Sequence, residues 1–266
     1  MQTRKAYPSD SCEEEWQIIF PYLPLPCPTG RPMKWAWRDI LDAIFYVTKT
    51  GCQWRALPGD FPPWQSVYRY FRWFSEAAWW RKLNDQLSQE YRLREGREAD
   101  PSAGSIDSQS VKASETGSSH GYDAGKKIKG TKRHLLVDTQ GLLITAVVHS
   151  ANVQDYDSAK LVFEQAHATG RTSRLKLVWA DGSYDKDRVK QAAAAYNWQV
   201  QVIKRSDDAK GFELLPRRWV VERTFGWLMH FRRLVRDYER LANSVEAFIY
   251  LAMCRLLLSR LAKSEF

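Results

Sequence analysis

The order of strand-like and helical stretches between residues 104 and 205 constrains the fold more than any other feature of the sequence. A strand is predicted around Ile106, and two strand-like runs follow, joined by a hairpin turn at residues 138–141. A helix that ends at Gly170, a strand before Asp181, a second helix, a short strand and a long helix complete the series. This order predicts a mixed sheet with helices packed on its faces.

The sequence on either side of this part reads as helical. Residues 1 to about 95 are rich in tryptophan, and the chain from residue 216 onward again has helical periodicity. The stretch REGREADPSAG, at 94–104, is charged and then broken by a proline and a glycine, as is typical of a joint. A chain of 266 residues that is 44% hydrophobic can form more than one unit. We predict a helical N-terminal domain over 1–95 and an α/β domain over 104–266.

The N-terminal part contains the outline of a helix, a turn and a basic helix. Apolar residues recur at helical spacing over residues 40–47, and Gly51 ends that helix. A second helix is predicted to begin near Trp64, with an apolar stripe that leaves Arg69 and Arg72 on another face. In a helix-turn-helix module both arginines would contact DNA. An ordinary helical hairpin with solvated arginines gives the same pattern, so both interpretations stay open.

The chain is basic, with a net charge of +9 and an isoelectric point near 9.4. Excess positive charge favours an anionic partner, nucleic acid first, although a basic protein without such a partner has the same composition. The four cysteines lack the short spacings of zinc or redox sites, which indicates reduced thiols in the cytoplasm. No apolar stretch follows the N-terminal MQTRKAYPSD, and the most apolar segment is far shorter than the ~20 residues of a membrane span, so we expect no signal peptide and no membrane partner.

Three acidic residues occupy positions where carboxylates are expected to be partly buried. Asp107 follows the first predicted strand, Asp181 follows the fourth, and Glu222 lies among apolar neighbours in the helix RRWVVER. The order of elements is that of a ribonuclease H sheet, in which the first and fourth strands are neighbours. Carboxylates in such surroundings need a cation, and a few of them suffice to bind the two Mg²⁺ ions, ~3.5–4 Å apart, of a phosphodiester-cleaving site. We predict that these three acids are catalytic and bind metal, with Mn²⁺ able to replace Mg²⁺.

The other acids have simpler interpretations. Asp138 occupies the predicted hairpin turn, Asp155 and Asp157 can cap the helix that follows, and Glu239 lies in a polar stretch where it is expected to be solvated. The five histidines show no metal-ligand spacing, and the sequence contains no Gly-x-Ser-x-Gly elbow of a serine nucleophile.

Basic residues flank the three acids. Two lie on the helix of Glu222: Arg218 precedes the glutamate by four residues, and Arg233 is expected to return to the same face about three turns later. Five more lie in the glycine-containing loop GYDAGKKIKGTKRH, whose backbone can approach a phosphate: Lys126, Lys127, Lys129, Lys132 and Arg133. We predict DNA contacts for all seven, although a solvated loop would have the same composition.

Several strings in this sequence resemble transposases of bacterial insertion sequences, in the insertion-sequence-five group of the DDE superfamily. They are, in order, TGCQWRALPGDFPPWQSVYRYFRWF, SIDSQSVKA, GKKIKGTKRHLLVDTQGLL, VWADGSYD and RRWVVERTFGWL, so the resemblance covers essentially the whole chain. It implies an α/β fold, namely a ribonuclease H-like mixed sheet with flanking helices preceded by a small helical domain. It also implies that Asp107, Asp181 and Glu222 are the three acids of the family motif.

The sequence departs from the superfamily pattern around the third acid. That pattern has a tyrosine, an arginine and a lysine near the glutamate; Arg218 matches the arginine, but Leu215 and Met229 stand at the other two positions. A phosphate beside the metal site still needs a cation. We therefore expect Arg218, Arg233 or both to replace the lysine.

The resemblance implies a transposase that binds the inverted-repeat ends of its element, frees a 3′-hydroxyl by hydrolysis and joins that end to target DNA. A homodimer on paired ends, in the nucleoid-associated part of a bacterial cytoplasm, is expected. Two alternatives stay open: a nuclease of the same fold that cuts without joining, and a repressor that binds DNA through the helix at 64–74.

Overall fold

The computed structural model describes residues 5–25, 33–114, 120–203 and 216–263, with the side chain of Pro216 left out. Leu215, at the position of the superfamily tyrosine, lies outside these residues. No helix in the described ranges is long and apolar enough to cross a membrane.

Helices at both ends of the chain enclose a central sheet. The helices of the described residues are α1 (Glu13–Ile19), α2 (Trp37–Thr50), α3 (Trp64–Glu76), α4 (Trp79–Arg94), α5 (Asp155–His167), α6 (Asp187–Ala194), α7 (Pro216–Met229), α8 (Arg232–Val235) and α9 (Ala242–Lys263). The strands are β1 (Ala103–Lys112), β2 (Gly121–Asp123), β3 (Ile128–Asp138), β4 (Leu143–Ser150), β5 (Leu177–Ala180) and β6 (Gln199–Val202).

A six-stranded mixed sheet forms the centre of the molecule. β1 pairs antiparallel with β3 on one side and parallel with β5 on the other, and β5 pairs parallel with β6. β3 also pairs antiparallel with β4 and with the short β2. The sheet and its flanking helices confirm the predicted fold class. Asp107 lies within β1 rather than after it, because β1 continues to Lys112 beside β3.

Both faces of the sheet are covered. On one face α5 and α6 bury an apolar cluster that includes Phe163 and Tyr184. On the other face a larger cluster combines the N-terminal helices, the sheet and α9, and Phe71 of α3 stacks on Phe248 of α9 at 4.5 Å between ring centroids. The predicted boundary at 95–104 falls between α4 and β1, but the N-terminal helices share this core with the rest of the chain. The division into two domains stays a prediction.

The helical pair α2 and α3 forms as the apolar periodicity predicts. α2 ends at Gly51, whose φ of +72° is left-handed, and the predicted stripe of α3 is buried through Val67, Phe71 and Phe74. The connection spans residues 51–63, however, which is longer than the three or four residues of a helix-turn-helix turn. A tight helix-turn-helix is therefore not the geometry of this pair, and DNA reading by α3 stays a prediction.

The hairpin turn between β3 and β4 sets the position of α7. Asp138 accepts hydrogen bonds from the backbone N–H groups of Gln140 and Leu142, at 2.8 and 2.9 Å, and forms a buried ion pair with Arg92 of α4. Gly141 has a φ of +83°, and a Cβ there would lie 2.8 Å from Oγ1 of Thr224 on α7. Because the turn lacks a side chain at this point, α7 can pack directly on it.

The last part of the chain differs from the single long helix that the sequence predicts. α7 stops at Met229, and the short helix α8 turns back toward the end of α2. A Cβ on Gly51 would lie 3.1 Å from the backbone carbonyl carbon of Arg232, so the two segments are in close contact. This break moves Arg233 off the helix that carries Glu222.

Candidate active site

The parallel register of β1 and β5 places two of the predicted acids side by side. Ser105 of β1 pairs with Trp179 of β5. Asp107 and Asp181 each lie two residues further along, so they reach the same level, Asp107 within β1 and Asp181 directly after β5. Asp181 is held there by a tight turn, in which its Oδ1 accepts a hydrogen bond from the backbone N–H of Ser183 at 2.9 Å.

The two aspartates interact electrostatically. Burial and the nearby charge of Asp181 raise the pKa of Asp107 to about 7, against the opposing effects of the Ser108 backbone N–H, Lys126 and Arg218. The Ser108 N–H donates to Oδ1 of Asp107 at 2.6 Å, so this carboxylate is oriented by its own strand. A raised pKa next to another carboxylate indicates a position where a bound cation would relieve unfavourable charge.

Arg218 links the third acid to this pair. Its Nη2 lies 3.5 Å from Oε1 of Glu222, one turn further along α7, and 3.9 Å from Oδ2 of Asp181. α7 packs against β1 and β5, and Arg218 in its first turn approaches Asp181 at the end of β5. The structure therefore gathers Asp107, Asp181, Glu222 and Arg218 in one region, as the sequence predicts.

The donor atoms of this region suit a hard divalent cation. All three acids offer carboxylate oxygens, the ligands that Mg²⁺ and Mn²⁺ prefer. In the part of the chain that the structure describes, no three His, Cys, Asp or Glu side chains are close enough to form a closed metal cage. Glu222 is instead in contact with Arg218. Asp107 and Asp181 would thus be the first ligands, with Glu222 joining from α7.

The basic loop after β2 divides into exposed and buried members. Lys126, Lys127 and Lys129 are exposed. The Nζ of Lys126 donates to the backbone carbonyl of Ser108 at 3.0 Å, which places its charge beside Asp107. These three lysines remain candidates for DNA contact.

Three other predicted DNA contacts are corrected by the structure. Lys132 is buried and forms an ion pair with Asp155 at 2.9 Å. Arg133 is fully buried and donates to the backbone carbonyl of Leu234 at 2.7 Å. Neither side chain can reach a phosphate outside the protein, because each is enclosed and already bonded.

Arg233 is the third correction. It is buried, and its Nε donates to Oε1 of Glu239 at 2.7 Å while its Nη1 donates to the carbonyl of Cys52 at 3.1 Å. Arg233 therefore holds α8 against the end of α2 and does not face the site. Glu239, predicted to be solvated, is its partner.

Sequence reasoning missed a polar network behind Asp107. Asp155, predicted to be a helix cap, accepts a hydrogen bond from Oγ of Ser108 at 2.9 Å as well as the ion pair from Lys132. On the same side, His134 Nδ1 lies 3.0 Å from the hydroxyl of Tyr184, and burial lowers the pKa of this histidine, so it is neutral at physiological pH. The only sequence signal was the adjacency of Ser108 to Asp107.

Two curated relatives from Burkholderia cepacia resemble parts of the chain. One is a "Putative transposase for insertion sequence element IS402", 31% identical over 144 residues, which are 51% of this chain and 66% of that protein. The other is an "Insertion element IS402 uncharacterized 16.2 kDa protein", 33% identical over 108 residues, which are 38% of this chain and 71% of that protein. The chain thus spans just under two thirds of the first relative.

Solved structures give a weaker likeness. A pre-cleavage Mos1 transpososome aligns with a TM-score of 0.32 and 10% identity over 90% of this chain and 81% of that chain. A Mos1 strand transfer complex aligns with a TM-score of 0.32 and 13% identity over 88% and 78%. At these scores the fold is better described by its own sheet order.

Family profiles match both parts of the chain. Residues 12–84 match the family described as "Putative transposase of IS4/5 family (DUF4096)". Residues 98–257 match "Transposase DDE domain", a range that spans more than half of the chain and includes all three acids. The chain therefore belongs to the transposase DDE domain family.

Proposed function

We propose that this protein is an insertion-sequence transposase that cleaves DNA at Asp107, Asp181 and Glu222 and joins the freed 3′-hydroxyl to target DNA. The observation that carries the proposal is the register of β1 and β5, which sets Asp107 beside Asp181, together with Arg218, which contacts both Asp181 and Glu222. Membership in the transposase DDE domain family supports the same activity.

Each side chain has a distinct part in this chemistry. Asp107 and Asp181 would hold divalent ions from two adjacent strands, and Glu222 would complete the set from α7. Two such ions, when bound, activate the attacking oxygen and stabilise the leaving oxygen of an in-line displacement. Lys126, through its bond to the Ser108 carbonyl, supports the strand that orients Asp107. Arg218 remains charged at any working pH, so it can contact a phosphate but cannot serve as a proton donor.

DNA is the proposed partner, in the form of inverted-repeat element ends and of target DNA. Exposed cations lie at Lys126, which is beside Asp107, at Lys127 and Lys129 in the same segment, and on the separate helix α3 at Arg69 and Arg72. Phosphate contacts from the loop would position the strand, whereas contacts from α3 would read the end sequence. A homodimer that holds two ends together, in a bacterial cytoplasm, completes the proposal.

A metal-dependent cleavage and joining assay tests the function. The substrate is a labelled duplex that carries the inverted repeats flanking the gene, incubated with the protein in Mg²⁺, in Mn²⁺ or in EDTA. We expect strand cleavage in either metal, transfer of the cut 3′ end to a target plasmid, and no reaction in EDTA. Cleavage in EDTA would contradict the metal site. Cleavage without transfer would make the protein a nuclease, and specific binding without cleavage would make it a repressor.

A further inference from the structure

A cavity of about 380 Å³ lies away from the three acids, where the segment before α1 meets α2, the end of α7 and α9. The residues that line it include Ser9, Lys49, Trp227, His230, Arg255 and Arg260. None of its lining residues in the described ranges is acidic. A cavity that combines basic and aromatic side chains is suited to an anionic ligand.

The positive charge of this cavity is only partly neutralised. Arg255 forms an ion pair with Glu15 at 2.8 Å. Lys49 and Arg260 have no carboxylate within ion-pair distance among the residues that the structure describes. The Nζ of Lys49 donates only to the backbone carbonyl of His230, at 3.3 Å. Two cations that form no ion pair with a described residue therefore face one cavity.

A buried hydroxyl in the same cavity also lacks a partner. Ser9 is 7% exposed, and its Oγ makes no hydrogen bond to any other described residue. Leaving a buried hydroxyl without a partner is unfavourable, because the group has lost its hydrogen bonds to water. A ligand with acceptor oxygens would remove this cost, and a phosphate offers several.

A row of alternating aromatic and basic side chains runs along α7, the helix that carries Glu222, to the cavity. The guanidinium of Arg223 lies 4.9 Å from the ring centroid of Trp219 and 4.7 Å from that of Trp227, and the guanidinium of Arg260 lies 4.3 Å from Trp227. Trp219, Arg223 and Trp227 are on successive turns of α7. Trp219 is three residues before Glu222, on an adjacent part of the helix surface.

We propose that this cavity binds a backbone phosphate of the DNA whose scissile bond lies at Asp107, Asp181 and Glu222. The proposal rests on the proposed function, because it assumes that DNA occupies the catalytic site. Glu222 and Trp227 are five residues apart on α7, about 7.5 Å along the helix axis and about 140° around it. The cavity therefore lies on a different side of α7 from Glu222, and the DNA would pass around the end of this helix to place a phosphate there. Lys49 and Arg260 neutralise the negative charge of the phosphate, and the Ser9 hydroxyl donates a hydrogen bond to one of its oxygens.

Binding of a short labelled duplex, measured by fluorescence anisotropy over a range of salt concentrations, tests this site. Lys49→Gln and Arg260→Gln should each weaken binding about three- to tenfold and reduce the salt slope by about one unit. Arg260→Lys should keep the wild-type salt slope, because the positive charge is retained. Ser9→Ala should weaken binding about threefold but leave the salt slope unchanged, because no charge is lost. Arg174→Gln is the matched control, because Arg174 is exposed and lies before β5, at the opposite end of that strand from Asp181.

Thermal unfolding of each variant shows whether it folds, and cleavage by the wild-type protein is measured in parallel. Wild-type affinity and slope in the Lys49 and Arg260 variants would overturn the cavity proposal, and continued wild-type cleavage would show that the proposed function survives. If Arg260→Lys reduced the salt slope as much as Arg260→Gln, the cavity proposal would also be overturned. A lysine keeps the positive charge, so such a loss would reflect a change in structure and not the loss of a phosphate contact. Inorganic pyrophosphate is the second probe. If Lys49 and Arg260 governed pyrophosphate binding but not duplex binding, the site would serve a free phosphate compound instead of DNA.

Discussion

Nη2 of Arg218 lies 3.5 Å from Oε1 of Glu222, one turn apart on α7, and the same guanidinium lies 3.9 Å from Asp181. Arg218 is thus the cation that the described structure sets between two of the three acids. Met229 stands at the position of the superfamily lysine, about two helical turns after Glu222, and is the last residue of α7, whereas Arg233 is buried elsewhere. Of the two arginines expected to replace that lysine, Arg218 is the one that lies beside the acids.

Arg218→Ala should therefore lower end binding and cleavage together. Loss of one phosphate contact predicts a salt slope that is smaller by about one unit. Arg218→Lys should keep most of the slope but less of the cleavage, because a lysine lacks the planar fork that contacts two groups at once. Binding and cleavage by Arg188→Ala, which removes an exposed arginine of α6, provide the control. Wild-type slope and cleavage in Arg218→Ala would contradict the assigned role.

The sequence predicted the sheet and the adjacency of Asp107 and Asp181 for a physical reason. Strand periodicity and the order of elements determine which strands are neighbours, so Asp107 and Asp181 could be paired without coordinates. The end of α7 could not be predicted, because no glycine or proline interrupts the sequence after Met229. The break is accompanied by the contact of α8 with Gly51, which lies just over 180 residues earlier in the chain.

The buried arginines show the same limit. Arg133 lies in a lysine-rich stretch that resembles a solvated loop, yet β3 extends through it and its partner is the Leu234 carbonyl. Arg233 likewise depends on Cys52 and Glu239. Such pairings join distant parts of the chain, so composition and periodicity carry no signal for them.

Arg69 and Arg72 of α3 are expected to contact the element ends. Both are exposed, and Arg72 forms an i,i+4 ion pair with Glu76 on the same helix. The double variant Arg69→Ala/Arg72→Ala should weaken binding to end DNA more than binding to random DNA, as measured by competition gel shift. Glu76→Gln, which frees Arg72, serves as the control and should not weaken binding.

Equal losses on both DNAs would mean that these arginines contact only phosphates. Unchanged binding to both would mean that α2 and α3 are an ordinary helical pair, as the long connection at residues 51–63 already permits.

Glu246 of α9 should make stability depend on pH. Burial raises its pKa to about 7, although the backbone N–H of Val148 and the charge of Arg81 oppose the shift. The unfolded chain ionises near the ordinary glutamate pKa of 4.5 while the folded protein still holds the proton, so the free energy of unfolding should fall as pH rises from there to about 7 and level off above it. Glu246→Gln should remove this loss and stabilise the protein by about 1–3 kcal/mol at about pH 8.

Urea unfolding at about pH 5 and about pH 8 measures this effect. Glu164→Gln, which changes an exposed glutamate of α5, should leave the pH dependence of the wild type intact. A Glu246→Gln variant that loses stability with pH as steeply as the wild type would show that this carboxyl is not the cause.

The proposed activity requires the three acids to act as one site, and cleavage of end DNA by charge-neutralised variants tests this directly. Cleavage should fall at least about a hundredfold in each of Asp107→Asn, Asp181→Asn and Glu222→Gln. A double variant should cleave only slightly more slowly than a single variant, because the three residues act as a unit. End binding should stay within about twofold of wild type, and Asp187→Asn, at the exposed start of α6, should cleave normally. Near wild-type cleavage by any of the three variants would contradict the assignment.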